Sequence, residues 1–547
     1  MSEKLSANEA MKTQSDGLRG TLKESIDLDN HTGSVRPDDE FLVKFHGMYV
    51  QDDRDRRAER IAKKLDNLYS FMIRLRIPGG VISAEQWMAT HEISEQYGTG
   101  TLKITTRQTV QLHGLLKHQL RPTIQAFNTA KLDSIAACGD VNRNVIASSH
   151  PQISPLHKQI HAYADKISTL LLPKTQSYYE VFIDGEKIYE RSSEADPLYE
   201  DRYLPRKFKI AIAIPPSNDV DVLTNDIGLI AIIENNQLKG FNIAIGGGLA
   251  RTHGNPNTYS RLGSIIGFTD TEEKTLKVVY EILTVQRDFG NRVDRKLSRL
   301  KYTVDKLTVE GFKKEVENRI GFELEAAKPF SFSERSDRFG WEKNHENNWF
   351  YTLFVEHGVV KPDQKQFLIE LAQLKISNFI FTGNQNLILG EIADSDKLKV
   401  EALLKTHDIE KQVSALRKNS MACVALPTCP LALAEGQRYL PELVTKIEPI
   451  LQKYNLTNDE ISIRMTGCPN GCGRPYVSEL GFVGTGPEQY NFMLGGDRYG
   501  ERLNKLYKEK LTETQILEEV DFLFKQYVND KNENETFGDY AFRKIVN

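Results

Sequence analysis

The sequence predicts a multidomain α+β and α/β protein that consists of two pseudo-symmetric tandem halves. Each half is expected to hold a ferredoxin-like strand–helix–strand module followed by a larger α/β module. Two internal repeats support this prediction. Segment 71–114 has the same predicted order of strand, helix and strand as segment 349–390. In addition, FNIAIGGG at 241–248 is matched by YNFMLGGD at 490–497. Because related halves commonly bind a ligand between them, we expect a cofactor at their interface.

The composition is that of an ordinary globular protein, and the chain is long enough for several domains. Its 547 residues are 39% hydrophobic and 27% charged, and the formal net charge of −4 gives no reason to expect nucleic acid or an anionic membrane as a partner. No apolar run approaches the roughly 18 residues that span a bilayer. The first residues resemble neither a secretory signal nor a transit peptide, and five cysteines argue against an oxidised scaffold. We therefore expect a cytoplasmic protein with reduced cysteines.

The two internal repeats divide the chain into five predicted parts. Residues 1–61 form a polar N-terminal arm and lead-in. The first forty or so show no regular spacing of hydrophobic residues, so we expect them to be mobile. The first half follows as a ferredoxin-like module at 62–135 and a larger module at 136–330. The second half repeats this order at 335–407 and 408–547, and the last part carries the paired cysteines.

Capping signals predict where the helix of each ferredoxin-like module begins. Ser83 and Gln86 have the spacing of a capping box, and Gly98 follows the expected helix. In the second copy Asp363 and Gln366 have the same spacing. Both helices should therefore begin directly after a short strand.

Four of the five cysteines stand in two pairs, as C-x5-C and C-x3-C, among prolines and glycines. They are Cys423, Cys429, Cys468 and Cys472. Disulfides are not expected in a reducing compartment, and zinc usually prefers tighter knuckles, whereas an iron–sulfur cluster tolerates wide spacing. The spacing favours a cluster, and it leaves zinc and unligated core cysteines open as alternatives. Cys138 has no place in this pattern and is expected to be a buried free thiol.

The motif CVALPTCP…TGCPNGCGRP resembles the signature of the sirohaem sulfite and nitrite reductases, and the resemblance extends over nearly the whole chain from KFHGMYVQDDRD onwards. It implies that the four cysteines hold a [4Fe–4S] cluster and that Cys472 also ligates the sirohaem iron. It further implies a six-electron reduction of sulfite to sulfide in sulfur assimilation and cysteine biosynthesis. GFVGTGPEQY lacks the third glycine of a dinucleotide fingerprint, so electrons should come from a separate donor. The resemblance implies that this donor is an NADPH-oxidising flavoprotein (alpha) subunit.

Polar residues at odd positions mark one face of the segment TLKITTRQTVQLHG. If the segment is one continuous strand, these side chains share a face: Lys103, Thr105, Arg107, Gln111 and His113. An amphipathic strand with one wet face would show the same pattern. The family resemblance implies that this face binds sirohaem. Relatives often have Arg where Lys103 stands. A lysine keeps the positive charge but cannot form the two parallel hydrogen bonds of a guanidinium group.

The second half offers a matching polar segment. Asn384, Gln385 and Asn386 stand where the first half has 107–109, and the resemblance implies that they contact the cofactor. Asn470 and Arg474 flank the last two cysteines and are expected to reach polar groups of the cofactor.

The family's anion-binding residues match four cations in three separated motifs: Arg74, Arg143, Lys207 and Lys209. Each one alone would be read as an ordinary surface cation, and the joint match is what indicates a sulfite site. Lys207 and Lys209 are two residues apart, so one strand can direct both toward one point. As the family is understood, nitrite reductases tend to carry Asn at the position of Lys209, so this lysine favours sulfite.

Two other functions remain open from the sequence. A ferredoxin-dependent sulfite or nitrite reductase would share the same site and differ only in its electron donor. A zinc-stabilised nucleic-acid-binding protein could also use four cysteines and basic strands, but the negative net charge fits it poorly.

Overall fold

The computed structural model describes residues 4–27, 32–151, 153–174, 181–183, 186–189, 195–409 and 412–547. Its strands, in chain order, are β1 (Met48–Asp52), β2 (Tyr69–Arg74), β3 (Val81–Ile82), β4 (Leu102–Ile104), β5 (Val110–Leu115), β6 (Ile146–Ala147), β7 (Val181–Ile183), β8 (Glu186–Tyr189), β9 (Ile210–Ala213), β10 (Ile227–Glu234), β11 (Gln237–Ile245), β12 (Ser264–Thr269), β13 (Gly340–Lys343), β14 (Trp349–Leu353), β15 (Asn378–Phe381), β16 (Leu387–Ile392), β17 (Ser420–Ala422), β18 (Ile463–Thr466), β19 (Leu480–Gly486), β20 (Gln489–Leu494) and β21 (Lys505–Leu511).

Helices cover these sheets. In chain order they are α1 (Ala7–Gln14), α2 (Leu22–Asp27), α3 (Asp39–Leu42), α4 (Arg57–Ala62), α5 (Ala84–Tyr97), α6 (Leu120–Thr129), α7 (Pro155–Leu170), α8 (Glu272–Phe289), α9 (Leu300–Leu307), α10 (Val309–Ile320), α11 (Pro362–Leu374), α12 (Lys397–Thr406), α13 (Ala415–Lys418), α14 (Leu440–Lys453), α15 (Glu513–Asp530) and α16 (Phe537–Ala541). Of the helices in the described ranges, none is both long and apolar enough to cross a bilayer.

The two ferredoxin-like modules have the same sheet. The strand order is β1-β2-β5-β4 in the first and β13-β14-β16-β15 in the second, with α5 and α11 in corresponding places. Each module also contributes to its neighbour's sheet. β3 pairs with β15, and Val360 N donates to Leu102 O at 3.2 Å beside β4. This reciprocal exchange couples the two modules, and Trp87 of α5 stacks on Phe379 of β15 with ring centroids 4.9 Å apart.

The two larger modules also repeat one another. Their sheets run β12-β11-β10-β9-β6 and β21-β20-β19-β18-β17, and in each sheet three parallel strands are followed by two antiparallel ones. Ile210 pairs with Ile227 and Ile463 with Leu480, so segments 210–227 and 463–480 correspond without a gap. The prediction of two pseudo-symmetric halves is confirmed.

The N-terminal arm differs from the expectation. In its described part Leu18 is fully buried and Lys12 is 1% exposed, and the short helices α1 and α2 pack against the body of the protein. The expectation of a mobile arm is therefore wrong for these residues. β1 pairs with β2 along its whole length, so the first sheet begins at Met48, ahead of the expected boundary at 62.

One of the two predicted helix caps is confirmed. Ser83 Oγ accepts from Gln86 N at 3.2 Å, and Gln86 Oε1 accepts from Ser83 N at 3.1 Å. The second prediction, Asp363 with Gln366, is wrong. Helix α11 begins at Pro362, two residues before the start that an Asp363 cap predicts, so Gln364 is the residue whose side chain accepts from the backbone before the helix.

Candidate functional site

The segment that carries the predicted polar face is a β-hairpin. β4 ends at Ile104 and β5 begins at Val110, and Thr105 N donates to Thr109 O at 2.8 Å across the turn. The expectation of one continuous strand is therefore wrong, and odd numbering alone does not place these side chains on one face. Cross-strand pairing does so for Lys103 and Gln111, which are direct partners.

Three of the predicted residues form a row across the first sheet. Arg74 on β2 and Lys103 on β4 are both register partners of Gln111 on β5. With its amide oxygen turned toward Arg74, Gln111 accepts from Arg74 Nε at 2.9 Å. His113 follows two residues later on the same face, where its Nδ1 lies 3.0 Å from Gln51 Oε1. Burial lowers the pKa of Lys103 to about 7 and that of His113 to about 4.

Arg107 and Thr105 lie in the hairpin turn. Arg107 donates to Asn225 Oδ1 at 2.6 Å, to Ile210 O at 3.0 Å and to the carbonyl of Asn144. Thr105 Oγ1 accepts from Arg107 N at 3.2 Å. These contacts fix the hairpin tip onto the larger module of the first half.

The remaining predicted cations lie on two adjacent segments of that larger module. Arg143 N donates to Phe208 O at 2.9 Å, so Arg143 lies beside the stretch that carries Lys207 and Lys209. Lys209 N in turn donates to Asp226 Oδ2 at 2.9 Å. The backbone thus brings three of the four predicted anion-binding residues together.

The pKa values of Lys207 and Lys209 are shifted by burial and by the charges around them. Burial and then Arg206 and Lys209 lower the pKa of Lys207, while burial and then Arg107 lower that of Lys209 to about 7. The negative charge of a Cys472 thiolate acts on both lysines in the opposite direction. Both side chains remain partly exposed and form no ion pair with a described residue.

The four paired cysteines lie at one edge of the second large sheet. Cys423 follows β17, and Cys468 and Cys472 follow β18; these strands are adjacent and parallel, so their carboxyl ends share an edge. Burial and then Cys472 raise the pKa of Cys429 to about 11 and that of Cys468 to about 12. The thiols are therefore grouped, although within the described ranges no three His, Cys, Asp or Glu side chains converge on the position of a single ion.

The cysteine loops direct hydrogen-bond donors at the sulfurs and need glycine to do so. Gly467 N donates to Cys423 Sγ at 3.4 Å, and Asn470 Nδ2 to Cys468 Sγ at 3.6 Å. A Cβ at Gly467 would lie 2.5 Å from Ala434 O, which explains the glycine in the signature. Donors of this kind stabilise ligating thiolates.

The cation row and the thiols meet at the interface of the two halves. A Cys423 thiolate raises the pKa of Lys103 against the effect of burial, and Thr106 Oγ1 donates to Cys472 O at 3.3 Å. Four thiols suit an iron–sulfur cluster, and the surrounding cations suit a macrocycle with many carboxylates together with a small oxyanion. The residues present therefore fit both groups that the sequence implies.

The polar residues predicted in the second half have protein partners. Asn384 and Asn386 donate to the carboxylate of Asp337 at 3.1 and 2.8 Å, and Gln385 donates to Ile104 O at 3.4 Å. Arg474 lies 2.8 Å from the Asp221 carboxylate and donates to Asn384 Oδ1 at 3.2 Å. The bond of Gln385 to Ile104 and the pair of Arg474 with Asp221 join the two halves, whereas the bonds of Asn384 and Asn386 to Asp337 lie within the second half. Of the five residues predicted on this side, Asn470 is the one whose side chain bonds to a cysteine sulfur.

Sequence reasoning missed three residues of the site. Tyr49 lies under Arg74, whose guanidinium carbon is 6.0 Å from the ring centroid. Cys138 is fully buried as expected, but Arg74 Nη1 also donates to its sulfur at 3.2 Å. Arg54, part of what reads as a solvated charged helix, donates to Ala432 O at 2.6 Å and so holds the first cysteine loop. The one signal in the sequence is that Cys138 shares a short motif with Arg143.

Two family models match the first half of the chain. The model described as "Nitrite/Sulfite reductase ferredoxin-like half domain" matches residues 63–130, and the one described as "Nitrite and sulphite reductase 4Fe-4S domain" matches residues 162–324. Together with the fold, the grouped cysteines and full-length relatives, they show that the chain belongs to the nitrite and sulphite reductase family. The resemblance stated from the cysteine motif is confirmed.

Curated relatives at high identity share one printed name, "Sulfite reductase [NADPH] hemoprotein beta-component". The protein of that name from Leptospira biflexa is 59% identical, with 98% of this chain and 97% of that protein covered. Those from Staphylococcus epidermidis and Bacillus subtilis are each 48% identical, covering 100% and 98% of this chain and 97% and 95% of their own length. The solved structure of the Mycobacterium tuberculosis NirA protein shares the fold, with a TM-score of 0.80 at 23% identity over 99% of this chain and 97% of that one.

Proposed function

We propose that this chain is the haemoprotein (beta) component of an NADPH-dependent assimilatory sulfite reductase, which reduces sulfite to sulfide with six electrons for cysteine biosynthesis. The observation that carries the proposal is that Lys207 and Lys209 lie beside Arg143, through the bond from Arg143 N to Phe208 O, while the charge of Cys472 acts on both lysines. The family motif assigns the Cys472 thiolate to the haem iron, so cations near it support an anion site.

The chain supplies separate residues for each implied cofactor. Cys423, Cys429, Cys468 and Cys472 would hold a [4Fe–4S] cluster, with Cys472 shared between cluster and sirohaem. Lys103 and Gln111 of the row would face the carboxylates of the sirohaem, next to the anion-binding Arg74. When bound, the two groups would supply electrons and a haem iron for the reduction of sulfite.

The four cations Arg74, Arg143, Lys207 and Lys209 bind and orient the substrate. Charge-assisted hydrogen bonds to an oxyanion contribute roughly 1.5–3 kcal/mol each. Proton supply matters as well, because each oxygen of sulfite leaves as water and takes two protons. A Lys209 pKa of about 7 suits this task, since a proton donor works best when its pKa lies near the operating pH.

The electron donor is a separate protein. Gly484 and Gly486, the best glycine pair for a nucleotide loop, lie in β19 where it turns back into the antiparallel strand β20, whereas a dinucleotide fingerprint needs a strand followed by a helix. The name that the relatives share contains "[NADPH]" and "beta-component", which supports NADPH as the source of electrons and a partner component. We propose that this partner is a flavoprotein alpha subunit and that the two proteins form a cytoplasmic hetero-oligomer.

Cofactor analysis and donor dependence test this function together. The purified chain should contain about five iron atoms and about four acid-labile sulfides, and its visible spectrum should shift when sulfite is added under reducing conditions. Sulfide should form with NADPH only when the flavoprotein is present. A colourless protein that contains zinc would refute the proposal, and turnover with reduced ferredoxin alone would assign the other donor class.

A further inference from the structure

The backbone just before the substrate lysines is held by three cations. The carbonyls of residues 203–205 each accept a hydrogen bond from a different positively charged side chain. In chain order the donors are Arg292 Nη2 at 2.7 Å, Lys12 Nζ at 2.8 Å and Arg295 Nη1 at 3.2 Å. We call these three hydrogen bonds to residues 203–205 the clamp. The next two residues are Arg206 and Lys207, so the clamp lies directly before the proposed substrate site.

Two buried carboxylates hold the cations in place. Glu9 binds Lys12 at 2.6 Å and Arg292 at 2.5 Å, and Asp140 binds Arg295 at 2.7 and 2.9 Å. Lys12 also lies 3.7 Å from Asp140, which joins the two pairs into one network. Glu9, Lys12 and Asp140 are each 1% exposed. Removing charges from water is expensive, so a buried network of this kind persists only when its hydrogen bonds are all made.

The network also reaches the segment that carries Arg143. Leu204 N donates to Asp140 O at 3.0 Å, Phe208 N to Val141 O at 3.0 Å, and Arg143 N to Phe208 O at 2.9 Å. The clamp therefore fixes the two backbone segments that carry Arg143, Lys207 and Lys209 relative to each other. Lysine side chains are long and flexible, so the position of their backbone decides where the ammonium groups can meet.

We propose that Lys12, held by Glu9, is a positioning residue for the anion site, so that helix α1 is part of the substrate-binding architecture. The inference rests on the proposed function, because it takes sulfite as the anion that Lys207 and Lys209 bind. Lys12 and Leu204 are 192 residues apart in the sequence. Their contact means that helix α1 packs against the segment that leads into Lys207 and Lys209.

The test compares full-length holoprotein variants with a small-molecule reductant, which removes the flavoprotein from the assay. Lys12→Met should raise the KM for sulfite at least about fivefold with a smaller change in kcat, because displaced cations weaken binding. Amide hydrogen exchange across 203–209 should accelerate in the same variant. Lys12→Arg keeps the charge and donors and should recover most of the affinity. Lys525→Met, at an exposed position of α15, should match the wild type in both measurements.

Each further outcome decides the matter. Unchanged KM and unchanged exchange in Lys12→Met would overturn the proposal, as would a loss of iron and sulfide that accounts for the whole effect. If Lys12→Met does not fold, Arg292→Gln removes the neighbouring donor at a site 13% exposed, and it should give the same two changes at smaller size. Exchange at 203–209 does not depend on sulfite turnover, so a wild type that fails to reduce sulfite would refute the proposed function and leave the clamp testable.

Discussion

Asp221 and Arg474 occupy equivalent positions in the two halves and bind each other, with Arg474 Nη1 2.8 Å from Asp221 Oδ2. Both have left-handed backbone, with φ of 47° and 56°, and each precedes a short helix that leads into a strand. The pair therefore lies where the pseudo-twofold relation brings the halves into contact. Arg335 and Arg464 also bind Asp221, at 2.7 and 2.6 Å.

This pair should be important for stability. Asp221→Asn leaves three buried guanidinium groups without their carboxylate, and breaking a buried ion pair typically destabilises a protein by about 3–5 kcal/mol. The midpoint of denaturant unfolding measures the loss. Asp521→Asn is the matched control, because its pair with Lys453 has side chains that are 38% and 57% exposed and should contribute far less to stability. Equal effects of the two substitutions would contradict the argument.

The cysteine assignment predicts a sharp difference among the five thiols. Replacing Cys423, Cys429, Cys468 or Cys472 by Ser should remove most of the acid-labile sulfide, because a cluster needs all four ligands. Cys138→Ala should keep it, since that thiol contacts Arg74 on the other side of the site. Iron and sulfide analysis of the purified variants checks this, and sulfide loss in Cys138→Ala would require a different ligand set.

Internal repeats and cysteine spacing could be predicted from the sequence because both are local patterns. The hairpin at 102–115 could not, because the odd-numbered polar residues continue through its turn. That turn contains neither Gly nor Pro; Gln108 supplies the left-handed conformation, with φ of 50°. The packed N-terminal arm was missed for another reason: its burial depends on single side chains, such as Lys12, that dock onto distant segments.

The second half lacks the anion-binding side chains of the first half. The strand register shows which residues stand in their place. The row of Arg74, Gln111 and Lys103 corresponds to Thr352, Ile388 and Ile380, and the two isoleucines are fully buried in an apolar cluster with Phe350. At the equivalents of Lys207 and Lys209 stand Glu460 and Ser462. The second half thus has apolar core side chains at two positions of the row and no cation at the positions of the two lysines.

Lys209 should set the preference for sulfite. Lys209→Asn removes a cation from the anion site, and losing one charge-assisted hydrogen bond of about 1.5–3 kcal/mol should lower kcat/KM for sulfite roughly 10- to 100-fold. The loss for nitrite should be smaller. Steady-state rates with both anions and a reduced dye measure the ratio. Lys399→Asn, at a side chain 63% exposed, is the control, and an equal loss for both anions would refute the selectivity argument.

Buried histidines should make the protein sensitive to acid. Burial lowers the pKa of His161 to about 4 from an ordinary 6.5, and its Nε2 lies 2.9 Å from Gly79 O. Between pH 6.5 and 4 the unfolded chain binds more protons than the folded one, so stability falls as the pH falls through this window, by about 3 kcal/mol for this residue. His161→Gln can still donate to Gly79 O and does not titrate, so the pH dependence of the denaturation midpoint should flatten. His118→Gln, at an exposed position, should leave that dependence unchanged, and an unaltered slope in His161→Gln would show that other groups control acid stability.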